Sequence, residues 1–204
     1  MSELTQQFCE QLDEFTTQWN SAELTMKLAE QVSEKAVYPS VNELRYAGRK
    51  LVDALKTERQ APGSEKAKAL LRDAIFDCYR AKHDAIDVAI AVIAGRIDVA
   101  ERTLGLKNIT ASYPKWHDLR ASVSKINRKI RLSREDRDNR DLIYDSIHEV
   151  ELPKIVDDFK IFEDSEERIS EEVKLERHRS LVMITFTILG FLVAVIGIIF
   201  DMMG

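Results

Sequence analysis

LVMITFTILGFLVAVIGIIF, Leu181 to Phe200, is twenty residues without a charge. A helix rises about 1.5 Å per residue, so this stretch covers roughly 30 Å, the thickness of a bilayer's hydrocarbon core. Its only hydroxyls, on Thr185 and Thr187, can bond back to helix carbonyls. A chain of 204 residues rarely encloses a helix that is apolar on every side. The stretch therefore reads as a transmembrane helix over 181–200, followed by a short far-side tail over 201–204. Lys174, Arg177 and Arg179 stand just before it and nothing basic follows. Basic flanks stay on the cytoplasmic side, which places residues 1–180 in the cytoplasm. The N-terminal MSELTQQFCEQLDEF is amphipathic and acidic, unlike a signal peptide. The expectation is a tail-anchored, single-pass protein of the inner (cell) membrane, in contact with its lipids.

Within the span, Thr187, Gly190, Ala194 and Gly197 fall on one face at steps of three, four and three. Lipid gives helices no hydrophobic reason to associate, so small residues that let backbones approach mark helix–helix contacts. Walked outward, the same register passes Met183, Ser180, Glu176, Val173, Ile169, Glu166, Phe162, Phe159, Ile155 and Leu152, and in the other direction it reaches Asp201. A single span has no partner in its own chain, so the expectation is a homo-oligomer. Its seam would use Thr187, Gly190, Ala194, Gly197, Phe159, Phe162, Ile169 and Val173. If copies ring an axis, Asp201 and Glu176 make acidic rings at the two mouths, and such rings favour cations.

Upstream, helical spacing prevails. Leu4, Phe8, Leu12, Phe15 and Trp19 predict an amphipathic helix over 3–19. Asn20 with Glu23 predicts a second helix running to about Ala36, which Tyr38-Pro39 breaks. Ser40-Val41-Asn42-Glu43 is a capping box opening a helix with Leu44, Leu51 and Leu55 on one face. Gln60-Ala61-Pro62-Gly63 reads as a loop and Ser64 as the cap of a long helix, Glu65 to Leu104, ended by Gly105. AIDVAIAVIA, residues 85–94, is apolar nearly all round and too short to cross a membrane, as befits the central helix of a bundle. After Tyr113-Pro114, the residues Trp116, Leu119, Val123, Ile126 and Ile130 form a narrow coiled-coil-like stripe. Ser133 marks a restart near Arg134, and Pro153 a new start or a kink. The fold class is all-α: a cytoplasmic bundle over 1–180, with a membrane-proximal helix from about 150.

Composition agrees. With 45% hydrophobic and 32% charged residues the chain is too apolar to be disordered. Seven Gly and four Pro are too few for collagen-like sequence or for the frequent turns of an all-β fold. The two cysteines, Cys9 and Cys78, are far apart. That excludes a disulfide framework and a cysteine-built zinc site, and fits a reducing compartment. The formal net charge of −5 is not that of a polycation, but its distribution is uneven. Residues 115–140 hold nine basic side chains against four acids, leaving +5, and residues 141–173 hold twelve acids against three basic residues, leaving −9. Arg120, Lys125, Arg128, Lys129 and Arg131 are candidates for binding RNA or anionic lipid, since clustered cations neutralise phosphates. The competing reading folds the basic block against the acidic one. The basic block also lacks the interleaved aromatics of a single-strand platform.

No phosphate-binding glycine loop, HExxH, GxSxG or metal-ligand cluster occurs. No catalytic, cofactor-binding or metal residue is therefore assigned, and no small-molecule substrate is evident. His83, His117, His148 and His178 are scattered. NELRYAGRKLVDAL, from Asn42, and ALLRDAIFDCYRAKHDAIDVAIAVI, from Ala69, resemble the first two long helices of HEPN-like bundles. The resemblance covers about 65 residues. It implies a helical protein that dimerises and works in antiviral defence or toxin–antitoxin systems. Active HEPN ribonucleases resemble one another in an Arg separated from a His by four to six residues. Here Arg80 and His83 are two apart, and Arg140 and His148 seven apart, so no catalytic residues carry over. A helical bundle joined to a span is also similar to the small pore-forming membrane accessory proteins beside some CRISPR ribonucleases.

Together these readings predict a non-enzymatic, tail-anchored protein that homo-oligomerises and permeabilises or gates the inner membrane as a bacterial antiviral-defence effector. The alternatives are a membrane-tethered HEPN-like RNA-binding protein or ribonuclease, and a scaffold recruiting a cytoplasmic partner. Implied partners are the chain itself, membrane lipids, and RNA or a ribonucleoprotein effector. No cofactor is expected.

Overall fold

Apolar side chains at steps of three and four run through nearly the whole chain, and each such run forms a helix that must bury one stripe. The computed structural model describes the backbone of residues 4–203 and the side chains of residues 4–191. Among the described residues seven α-helices and one π turn follow in order: α1 Gln6–Ser33, α2 Tyr38–Gln60, α3 Glu65–Leu104, α4 Leu106–Ser112, α5 Trp116–Glu135, α6 Arg140–Ser146, the π turn Ile147–Glu151, and α7 Leu152–Met203. No strand occurs among the described residues. The protein is an all-α helical bundle.

The 40-residue α3, about 60 Å long, is the spine. Two apolar cores stack along it. The first joins Phe8, Phe15 and Ala22 of α1 and Leu44, Ala47 and Ala54 of α2 to Leu71, Ala74 and Cys78 of α3. The second gathers Ile86, Ile90, Ile93 and Ile97 of α3 with Trp116, Leu119, Val123 and Ile126 of α5 and Leu152, Phe159 and Phe162 of α7. The near-continuous apolar run at 85–94 is thus covered from several sides, as a central helix requires. Ser64 caps α3 by accepting from the Ala67 N–H at 3.3 Å. Gly105, at φ +80°, ends it in a conformation that a Cβ would strain.

Three local expectations are corrected and a fourth is met. Asn20 does not restart a helix: α1 continues because Phe8, Phe15, Ala22, Thr25, Ala29 and Val32 form one buried stripe across it. Ser40 is buried and α2 has no side-chain cap. The helix opens two residues earlier, at Tyr38, because Pro39 favours a first helical turn, with its φ preset and no N–H to satisfy. Ser133 does not break α5: its hydroxyl donates to the Ile130 carbonyl at 2.7 Å inside the helix, which ends at Glu135. Pro153 marks the expected discontinuity: it is the second residue of α7, which opens at Leu152 directly after the π turn. Lacking an N–H, it cannot donate to the carbonyl four residues back, and the backbone widens just ahead of it. The Leu152 N–H bonds to the Ile147 carbonyl, five residues back.

The part of the expected oligomer seam that precedes Lys174 is covered within this chain. Phe159, Phe162, Ile169 and Val173 are buried in this chain's own core. Phe162 packs on Trp116 at 4.7 Å and on Tyr113 at 5.9 Å between ring centroids. Glu166, on the same register, pairs with Arg96 at 2.9 Å. A stripe at helical spacing states that something covers it, not which chain does. Beyond Val173 the helix leaves the bundle, and residues 174–191 are exposed. Arg177 marks the departure by donating to the Thr103 carbonyl at 3.1 Å, where α3 ends and its dipole is negative.

Thr187 and Gly190 are exposed. The Thr187 hydroxyl bonds back to Met183 at 2.9 Å, and a Cβ added at Gly190 would meet nothing within 4 Å. Ala194, Gly197 and Asp201 lie outside the described side chains, as does the far-side tail beyond Met203. Among the described residues no helix is long and apolar enough to cross a membrane. Of the Leu181–Phe200 stretch, residues 192–200 fall outside that description.

Candidate functional site

The core stripe of α5 divides its basic residues into two flanks. On one flank Lys125 and Lys129 meet Glu151 of the π turn at 3.0 and 2.8 Å. Burial alone would raise the Glu151 carboxyl, but the two lysine hydrogen bonds hold it below the usual carboxylate range. This flank is folded against the acidic block. On the other flank Arg120 pairs with Glu101 of α3, which also accepts from the Trp116 indole at 3.0 Å. Arg134 approaches Asp87 of α3 at 3.4 Å. Arg128 and Arg131 are exposed and show no acidic partner among the described residues. The five-residue patch therefore splits: three members are paired within the chain and two are left to solvent. Glu176 is exposed on the free part of α7.

A second feature was not legible as a site. Mid-way along α3, where it meets α6, polar side chains crowd the core. Lys82 is 1% exposed. Its ammonium pairs with Asp145, donates to Gln18 of α1 at 3.2 Å, and lies 4.7 Å from the Tyr79 ring centroid. His83 stacks on Tyr144 at 3.9 Å between centroids. Tyr144 donates to Asp87 at 2.8 Å, and the Arg140 guanidinium lies over its ring at 5.7 Å. His148 Nδ1 meets the Thr25 hydroxyl at 2.8 Å. The two-apart and seven-apart Arg and His pairs of the sequence are thus not the relevant ones. Arg140 and His83, on different helices, share Tyr144, while Arg80 sits over Phe76 at 5.2 Å. The His83 ring is buried rather than set in an open cleft.

The chemistry of this centre is that of a neutral histidine. Burial, then the Arg140 and Lys82 charges, pushes His83 down to about 3. Its 3.3 Å approach to Asp141 is therefore not an ion pair at neutral pH. Burial, then the neighbouring Asp145, raises the Asp141 carboxyl. Burial, then its bond to Asp87, raises the Tyr144 phenol to about 12. Cys78, raised by burial to about 12, is an inert thiol. Among the described residues no group of His, Cys, Asp and Glu could hold a metal.

An acid response follows. Unfolded His83 titrates near its ordinary 6.5 and folded His83 near 3. Between those values the unfolded chain binds a proton that the folded chain does not. Stability then rises with pH, by up to about 1.4 kcal/mol per unit from this one group, and is lost as pH falls below about 6.5. His148, lowered first by burial, acts in the same direction. Asp84 and Asp141, both raised first by burial, oppose it at lower pH, so the histidine effect is cleanest in the window just below pH 6.5. Urea midpoints of the detergent-solubilised protein should fall over that window, and His83→Gln should flatten the slope. A slope unchanged by His83→Gln would assign the acid response elsewhere.

No family model, no curated protein and no solved structure matches this chain.

Proposed function

We propose that the protein is a membrane-anchored helical bundle that self-associates through its apolar C-terminal helix and opens or gates the inner membrane. The observation that carries this reading is the course of α7. One unbroken 52-residue helix is packed into the core up to Val173 and then runs on with its apolar side chains uncovered. Leu181, Met183, Phe186 and Phe191 are between 64% and 70% exposed. Exposed apolar surface of this extent calls for a partner or a membrane, and the uncharged stretch continues in sequence to Phe200. At roughly 0.3–0.6 kcal/mol for each Leu, Ile, Phe or Val at the bilayer centre, lipid is a favourable environment for it. Because α7 is also a core helix, a change in bundle packing that tilts or rotates it is transmitted directly into the span. The Thr187–Gly190 face supports self-association there, since nothing among the described residues occupies it. A role in antiviral defence, with a ribonucleoprotein as the trigger, belongs to this proposal and rests on the resemblance alone.

Deleting residues 181–204 should move the protein from the membrane pellet to the soluble fraction. Continued sedimentation with washed membranes would overturn anchoring by this segment. Gly190→Ile puts a branched side chain where backbones should nearly touch, so crosslinked oligomers and dye release from reconstituted vesicles should both decline several-fold. Leu189→Ile, one residue off the face, should leave both within about two-fold. Equal effects of the two substitutions would remove the small-residue contact.

A further inference from the structure

The flank of α5 that faces away from Glu151 is one wall of a groove. Arg120, Ser124, Asn127, Arg131 and Arg134 line it at steps of four, three, four and three, so they share one helix face. The opposite wall and floor come from Ala94, Ile97 and Asp98 of α3, together with Val123 and Ile130. On the α3 side the small side chain of Ala94 leaves room between the two helices. The groove's volume is about 460 Å³, the size of a small-molecule site and too little for a folded partner.

The lining is unbalanced. Three guanidinium groups, an amide and a hydroxyl face a single carboxylate, Asp98. Arg120 is neutralised by Glu101 just outside the groove, and Arg134 is held only loosely by Asp87 at 3.4 Å. Arg131 has no acidic partner among the described residues. On the other flank of the same helix both lysines are paired with Glu151, so the α5 cations without an acidic partner among the described residues are Arg131, in the groove, and Arg128, outside it. Guanidinium forks match phosphate oxygens in pairs, which a lysine ammonium cannot do. Between the donors the floor is apolar and branched, a surface on which a flat or aliphatic group can rest.

We propose that this groove binds a phosphate-bearing molecule of nucleotide size, with Arg131 and Arg134 holding the phosphate and Ile97 and Ile130 supporting its apolar portion. Asn127 and Ser124 supply the neutral hydrogen bonds that fix orientation. A free phosphate compound and a lipid headgroup offer the same chemistry to these residues. Both are within reach, since Asp98 precedes Thr103, which Arg177 contacts, by about one and a half turns of α3. The site does not depend on the membrane reading: it is built from α3 and α5 alone.

The test is calorimetric titration of the full-length, detergent-solubilised protein with ATP, pyrophosphate, adenosine and dihexanoyl phosphatidylglycerol, and a gel-shift titration with a 20-nucleotide single-stranded RNA. Saturable binding of ATP or pyrophosphate, none of adenosine, and a loss of at least ten-fold in affinity for Arg131→Gln are expected. Lys66→Gln, at the far end of α3 and exposed, should bind as the unaltered protein does. Arg131 is exposed, so circular dichroism and the melting temperature should not change. Binding of the lipid probe without ATP or pyrophosphate, lost equally in Arg131→Gln, assigns the phosphate to a headgroup. No binding of any phosphate probe overturns the proposal, as does binding that Arg131→Gln leaves intact. Binding of RNA alone also overturns it and makes the face a polynucleotide surface.

Discussion

Phe162→Ala should lower the unfolding free energy by about 4 kcal/mol, and the loss should not depend on protein concentration. Phe162 is fully buried and its ring contacts Trp116, Tyr113 and Phe159. Through it α7 is fastened to α5 and to the segment that follows α4. Truncating a buried phenylalanine costs about 3–5 kcal/mol, because the transfer free energy is lost and the surrounding rings close the void only in part. For a chain of this size that is roughly 8–16 °C in melting temperature. Concentration independence is the sharper half of the prediction. A residue in a seam between copies would show a midpoint that rises with protein concentration; a residue in the chain's own core does not. Leu175→Ala, on the free part of α7 and 60% exposed, should change stability by no more than about 0.5 kcal/mol. Urea titrations at two concentrations ten-fold apart measure both. A strong concentration dependence for Phe162→Ala would return α7 to an intermolecular seam.

That residue also shows where the sequence stopped being informative. Periodicity located the helices well, because burying one stripe is a local demand that spacing records. Glu65–Leu104 was legible at both ends, from a serine cap and a glycine stop, and the Trp116–Ile130 stripe named its own core residues. Boundaries failed where two local rules competed. At Tyr38-Pro39 the proline could end one helix or open the next, and at Asn20 a good cap residue lay within a stripe that tertiary packing kept whole. The α7 stripe failed for a different reason. From Leu152 to Val173 it is satisfied by α3, α4 and α5, and only beyond Val173 is it left uncovered. The register is continuous through both parts, so spacing alone could not divide them.

The candidate sites were legible in unequal measure. The charge imbalance of the basic block is a property of composition and was visible. Its division into two flanks, one closed by Glu151 and one lining a groove with Arg131 left unpaired, required knowing which face of α5 meets Glu151 and which meets Ala94 and Asp98. The buried centre was missed because its members are far apart in sequence: Lys82 and Asp145 are brought together by α6 folding back on α3. The one available signal was the polar run Lys82-His83-Asp84 set directly before ten nearly uninterrupted apolar residues. Charges at the edge of a core-forming segment of a central helix must find partners on neighbouring helices.

The second large effect belongs to that centre, and it should be lopsided. Asp145→Asn should cost about 3 kcal/mol, whereas Lys82→Met should cost about 1 kcal/mol or less. The two substitutions break the same ion pair, so equal losses would be expected if the pair itself were the stabilising unit. Burial makes them unequal. The Lys82 side chain is 2% exposed and that of Asp145 is 33% exposed. Removing the carboxylate leaves an ammonium that water cannot reach, with only the Gln18 carbonyl and the Tyr79 ring to receive it. An uncompensated buried charge of this kind costs several kcal/mol. Removing the ammonium leaves a carboxylate already open to solvent, and methionine refills most of the volume with atoms that need no partner. The loss in Asp145→Asn should concentrate on α6, because Lys82–Asp145 ties it to α3 while the stack of Tyr144 on His83 persists. Hydrogen exchange of the α6 amides should therefore accelerate more in Asp145→Asn than in Lys82→Met. Adding Lys82→Met to Asp145→Asn should restore most of the stability, since the double variant buries no charge. If Asp145→Asn proves the milder of the two single changes, the Lys82 ammonium has its own route to water, and α6 must then be held by the stacked His83 and Tyr144 rings rather than by the charge pair.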